Sequence, residues 1–142
     1  MIVTVRRDPP CRVTSQPALA GADLTGASLS GASLSFADLT DANLSGAKLS
    51  GAKLTFATLR GADLIDADLI DANLIDANLI GANLIGANLI GANLIGANLS
   101  RANLTNADFA DANLTDAFRR AGISRADMDG VKGLDTVTGL ID

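Results

Sequence analysis

The chain has 142 residues and a net charge of −5, and it is 48% hydrophobic but only 3% aromatic. That length fits one domain, and so few large rings argue against an irregular globular core. His, Trp, Tyr and Glu are absent and Cys11 is the sole cysteine, so the usual general-base and metal-ligand sets are largely missing and no intramolecular disulfide can form.

Residues 1–18 show no period and read as an N-terminal cap or leader. Ile2, Val3, Thr4 and Val5 suit a short strand, while Pro9, Pro10 and Pro17 would interrupt any ladder because Pro lacks an N–H. Arg6, Arg7 and Arg12 against Asp8 make this stretch basic, but three arginines without a spaced motif read as a solvated surface. The opening MIVTVRRDPP has no long apolar run before a small-residue cleavage site, unlike a signal peptide. With a single cysteine as well, the chain is placed in the cytoplasm.

From Leu24 to Leu114 a central residue recurs every five positions, 19 times in succession. It is Leu everywhere except Phe109, and the residue two before it is always Ala. Five residues on an α-helix, at about 100° each, turn successive leucines by about 140°, so no apolar stripe forms. On a flat strand an odd repeat alternates faces. A short extended piece followed by a bend satisfies the pattern. In Ala82-Asn83-Leu84 the Ala and Leu share one face and Asn takes the other; Ile85 and Gly86 then turn the chain. Gly tolerates the left-handed backbone of such a corner, and Asp or Asn is the next best choice. A chain bending always the same way coils, and its coils stack as parallel strands about 4.8 Å apart.

This A(D/N)LXX pattern, clearest in GANLI GANLI GANLI GANL from Gly81 to Leu99, resembles the pentapeptide-repeat family. The resemblance implies an all-β fold, a right-handed quadrilateral parallel β-helix with four repeats per coil, hence about five coils capped at both ends. The repeats would occupy 19–116, with 117–142 as frame-shifted degenerate repeats and a C-terminal cap. Leu24, Leu44, Leu64, Leu84, Leu104 and Phe109 are the expected core ladder. Phe36 and Phe56, four repeats apart, should then stack on adjacent coils.

The middle of the chain is unusual. The residue after the central Leu, expected to point outward, is Ile seven times running: Ile65, Ile70, Ile75, Ile80, Ile85, Ile90 and Ile95. Ile suits strands, but a contiguous apolar belt also marks an interface, so these seven are the candidate binding surface. Asp63, Asp66, Asp68, Asp71 and Asp76 form an acidic ring beside it. Spread round a prism, they should not converge on a cation, so neither a metal nor any other cofactor is expected. An Asn every fifth residue argues against a membrane span in Leu79–Leu99, since lipid leaves its amide unpaired.

After Asp116 the frame breaks. Asp116 suits the cap of a short helical turn over Ala117–Ala121 ended by Gly122. Ala121/Ile123 and Ala126/Met128 then resume the pairing, and the apolar stretch from Val131 to Asp142 should cover the last coil or pair with another copy.

No nucleophile–base set, phosphate loop or metal motif is visible, which excludes the common enzyme classes. The resemblance implies a non-catalytic scaffold that binds a protein partner or itself, through the lateral belt or end to end. It also implies an alternative, because some family members protect DNA gyrase as acidic rods that mimic DNA. Residues 21–116 carry 11 Asp against 4 Lys/Arg, which disfavours direct nucleic-acid binding. Over a rod of about 24 Å that is also well below the charge of B-DNA, one per ~1.7 Å.

Overall fold

The computed structural model describes residues 18–117, 128 and 130–136. The N-terminal segment with Cys11 and the arginines, the turn expected over Ala117–Ala121 apart from Ala117 itself, and the tail beyond 136 lie outside the described residues.

Each outward residue of a repeat forms a parallel bridge to its counterpart four repeats on, from Ala18↔Asp38 to Asn93↔Asn113. Four repeats therefore close one four-sided coil. Coils 1 to 5 span 18–37, 38–57, 58–77, 78–97 and 98–117. The bridged residues run in four columns, one per side. Face 1 carries Ala18, Asp38, Thr58, Asn78 and Asn98; face 2 carries Asp23, Asn43, Asp63, Asn83 and Asn103. Face 3 carries Ser28, Lys48, Asp68, Asn88 and Asp108, and face 4 carries Ser33, Lys53, Asn73, Asn93 and Asn113.

One repeat shows how so short a unit satisfies itself. The Ala87 N–H donates to the Leu84 carbonyl at 3.0 Å and closes the corner. Asn88 N–H reaches Ala67 in the coil before at 2.9 Å; Leu89 and Gly91 N–H reach Asp108 and Ala110 in the coil after at 2.7 and 2.9 Å. That leaves the Ile90 N–H. The Asn88 side chain supplies its acceptor, Oδ1, at 3.2 Å. Every amide in the repeat is thus satisfied, as a buried or half-buried backbone requires.

The inside is dry. Ala37 through Leu99 on the inward positions are at most 1% exposed, and no polar side chain is buried among the described residues. Each enclosed Leu contributes roughly 1.5–3 kcal/mol. Leu24, Leu44, Leu64, Leu84 and Leu104 form one such ladder, whereas Phe109 sits one coil after Leu89, in the ladder of face 3. The first coil is more open: Ala22, Ala27 and Ala32 are only half-buried.

The far end closes differently. Asp108 bridges Lys132, past position 128 where the four-repeat register would put its partner. The bridge partner thus lies four residues later than the four-repeat register would place it. Phe109 N–H donates to the Lys132 carbonyl and Lys132 N–H to that of Ala107, and Gly133 lies against Ala110. Of the expected frame-shifted pairs only Met128 is described, and it is buried. Thr136 finishes the cap: its Oγ1 accepts the Asp111 N–H at 2.8 Å, replacing the carbonyl that a further coil would offer.

Candidate outer binding surface

With the interior filled, the groups this rod presents to its surroundings are its outward side chains. These fall into three sets: the bridged columns, the residues after the central Leu, and the corners.

The column residues are not simply solvated. Fourteen repeats place an Asp or Asn there, and in each Oδ1 accepts the N–H two residues on, as in Asp63–Ile65 at 3.1 Å and Asn73–Ile75 at 3.1 Å. Such local bonds are what short polar side chains do at turns. Thr25 and Thr40 add a hydroxyl bond of 2.6 Å to Asp23 and Asp38. Those hydroxyls, with the Thr backbone N–H groups second, hold both carboxyls below the usual carboxylate range. Asp68 is engaged at both oxygens, by Ile70 N–H and by the Ser50 hydroxyl at 2.8 Å.

The seven isoleucines take the next position, and all are half-buried. The four-repeat register aligns Ile65 with Ile85, Ile70 with Ile90, and Ile75 with Ile95, while Ile80 is alone on face 1. The belt is therefore lower in relief than outward-pointing residues would make it. The exposed large apolar groups among the described residues are Phe36 and Phe56, each 50% exposed. They stack as their spacing predicts, centroids 5.2 Å apart and rings 12° from parallel.

All twenty corners from Gly21 to Asp116 have positive φ, including Phe36 at 63° and Phe56 at 56°. Where a non-glycine stands there, the left-handed backbone costs roughly 1–2 kcal/mol. The ring of acids expected around the belt therefore divides. Asp63 and Asp68 are turn acceptors on the faces, whereas Asp66, Asp71 and Asp76 are corners. No group of three such acids among the described residues is placed to hold a metal ion.

The corner acids show a rule that reading the repeats one at a time missed. Asp41, Asp66, Asp71 and Asp76 each point Oδ1 along the axis, into the place a Cβ would occupy on Gly61, Gly86, Gly91 and Gly96 of the next coil. The glycine hydrogen faces the carboxylate instead, a weak Cα–H···O contact. The signal was present in the sequence as Asp at one corner and Gly four repeats later.

A parallel β-helix of four sides, filled with stacked Ala and Leu, defines a repeat solenoid. The family model for pentapeptide repeats matches residues 19–55, 47–84 and 82–117 with 8 copies, and the chain belongs to that family. The structure is similar to a pentapeptide repeat protein, Rfr23, of the cyanobacterium Cyanothece 51142, at 40% identity and a TM-score of 0.56. That match covers 71% of this chain and 63% of the other, so the chain spans less than two thirds of that protein's length. A pentapeptide repeat protein of the Arabidopsis thaliana thylakoid lumen is 34% identical over 87% of this chain and 84% of its own, with a TM-score of 0.38. QnrB1, a plasmid-mediated fluoroquinolone resistance protein, is 19% identical over 78% of this chain and 76% of its own, with a TM-score of 0.35. No curated protein sequence matches significantly. No helix among the described residues is long and apolar enough to cross a membrane.

Proposed function

We propose that this protein is a non-catalytic scaffold that binds another protein, or a second copy of itself, through its outer faces. The observation that supports this reading most is the concentration of Ile65 through Ile95 in coils 3 and 4, at positions that other coils fill largely with Ser or Thr. A Ser or Thr there can hydrogen-bond the neighbouring Asn or Asp, as Thr105 does with Asn103 at 2.7 Å. Ile gives up that bond and adds half-exposed apolar surface, an exchange that favours contact with a partner. Changing Ile70, Ile75, Ile90 and Ile95 to Thr restores the bonding option without touching the core. The four-fold variant should keep its circular dichroism and lose partners captured from source lysate or its own association in sedimentation. Unchanged association in both experiments would remove the belt from the interface.

The DNA-mimic reading has less support. The rod is acidic overall, but no acid lies between Gly81 and Asn106, which leaves a gap of more than one coil in any imitation of a phosphate backbone. Gyrase supercoiling inhibited by a fluoroquinolone should not recover when the protein is added; recovery would reverse the order of the two readings.

A further inference from the structure

The four faces differ in one respect that bears on self-association. Face 3 alone has a basic residue toward one end and an acid at the matching distance toward the other: Lys48 in coil 2 and Asp108 in coil 5, with Asp68 and Asn88 between. Lys48 is exposed and Asp108 half-buried. Both oxygens of Asp68 accept hydrogen bonds within the chain, so the carboxylate beside Lys48 is already engaged. Lys132 flanks Asp108 on the cap side.

We propose that face 3 is the contact surface of an antiparallel homodimer whose two-fold axis lies in the interface, along the strand direction, between coils 3 and 4. This deepens the protein-interaction reading and rests on it. An antiparallel two-fold of this kind keeps each column opposite its own column and exchanges coil 2 with coil 5 and coil 3 with coil 4. Lys48 then faces Asp108 of the second copy twice by symmetry. Ile70 faces Ile90, Asp68 faces Asn88, and Ser50 faces Ala110.

Other arrangements are worse. Moving the axis onto coil 3 opposes Asp68 to itself, and moving it onto coil 4 opposes Asp68 to Asp108. Moving it between coils 2 and 3 keeps a Lys–Asp pair but sets both isoleucines against serines. Parallel packing brings Lys48 to Lys48 and Asp68 to Asp68. Faces 1, 2 and 4 offer no Lys–Asp match between their columns in any of these registers. Only one register joins Ile to Ile and Lys to Asp. Charge complementarity of this kind fixes register and partner more than it adds affinity.

The face is small. Three extended residues by five coils is roughly 10 by 24 Å, well under the about 800 Å² per partner of a standard interface. The dimer is therefore weak and salt-sensitive, and it shows at high protein concentration.

Sedimentation equilibrium of the full chain over a wide concentration range tests this. The wild type should dimerise reversibly, less so at high salt. Lys48→Glu should weaken the dimer at least tenfold, and Lys48→Glu with Asp108→Lys should recover it. Lys is tolerated in this column, as Lys48 itself shows. Register is read separately in a Cys11→Ser background. Chains with Ser50→Cys mixed with chains carrying Ala110→Cys should form the mixed disulfide faster than either forms its own. A monomer at every concentration, a charge swap that restores nothing, or Ser50→Cys chains that cross-link fastest to themselves would overturn the proposal. If the swap fails while the four-fold Ile variant still loses a captured partner, the interaction reading stands and the face 3 dimer falls.

Discussion

Gly91→Ala and Gly81→Ala look identical in the sequence, since both remove a corner glycine from a GANLI repeat of coil 4. The structure separates them. Both glycines have nearly the same φ, +68° and +67°, so both alanines meet the left-handed backbone penalty of roughly 1 kcal/mol. Around Gly81 a Cβ finds open space, whereas at Gly91 it collides with Oδ1 of Asp71. Asp71 must then leave its rotamer and its Cα–H···O contact, which together cost about another 1 kcal/mol. Urea unfolding should thus place Gly91→Ala about 1 kcal/mol below Gly81→Ala with equal m-values. In an Asp71→Gly background the difference should vanish, because the colliding oxygen is gone. Equal destabilisation by the two substitutions, or a difference that survives Asp71→Gly, would refute the stacking rule.

Three further outcomes follow from the same geometry. Asn78→Ala removes the Oδ1 that accepts the Ile80 N–H at 3.1 Å and should cost about 1 kcal/mol in urea unfolding, while Asn78→Asp, which keeps an acceptor, should cost less. Leu84→Ala empties a fully enclosed layer and should cost about 3–5 kcal/mol, because the coils above and below are hydrogen-bonded too rigidly to collapse into the gap. Asp23 and Asp38 have carboxyls depressed in the folded state, so the stability they add is present above the unfolded carboxylate range and is lost as pH falls through the folded one. Replacing both by Asn should flatten the acid limb of a stability–pH curve, and an unaltered limb would show that these hydroxyl bonds are not felt in solution.

Much of this molecule is legible residue by residue, because the fivefold spacing leaves one workable geometry. Ala82 and Leu84 must share a side, Gly86 must turn, and Phe36 must lie beside Phe56 once four repeats close a coil. What escaped was how the corner side chain of one coil limits the corner of the next. Asp71 and Gly91 each read as an acceptable corner; that the first excludes a Cβ at the second appears only when coils are stacked. The double duty of Asn88, outward yet closing the Ile90 amide, hides for a related reason, since alternation alone marks it as polar and exposed. At the end of the chain the repeats stop naming their partners. Asp108 meets Lys132 instead of the residue four repeats on.

In coils 3 and 4 a repeat with Asp or Asn in its column satisfies all five of its own amides, four through backbone carbonyls and the fifth through a side chain, which leaves outward groups for recognition. Amide hydrogen exchange resolved by residue over coils 3 and 4 tests this most directly. The prediction is unbroken protection from Gly61 to Ala97, with the Ile65, Ile70, Ile75, Ile80, Ile85, Ile90 and Ile95 amides slowed along with their neighbours. Isoleucine amides exchanging at the rate of an open chain, one unprotected position in every five, would contradict it.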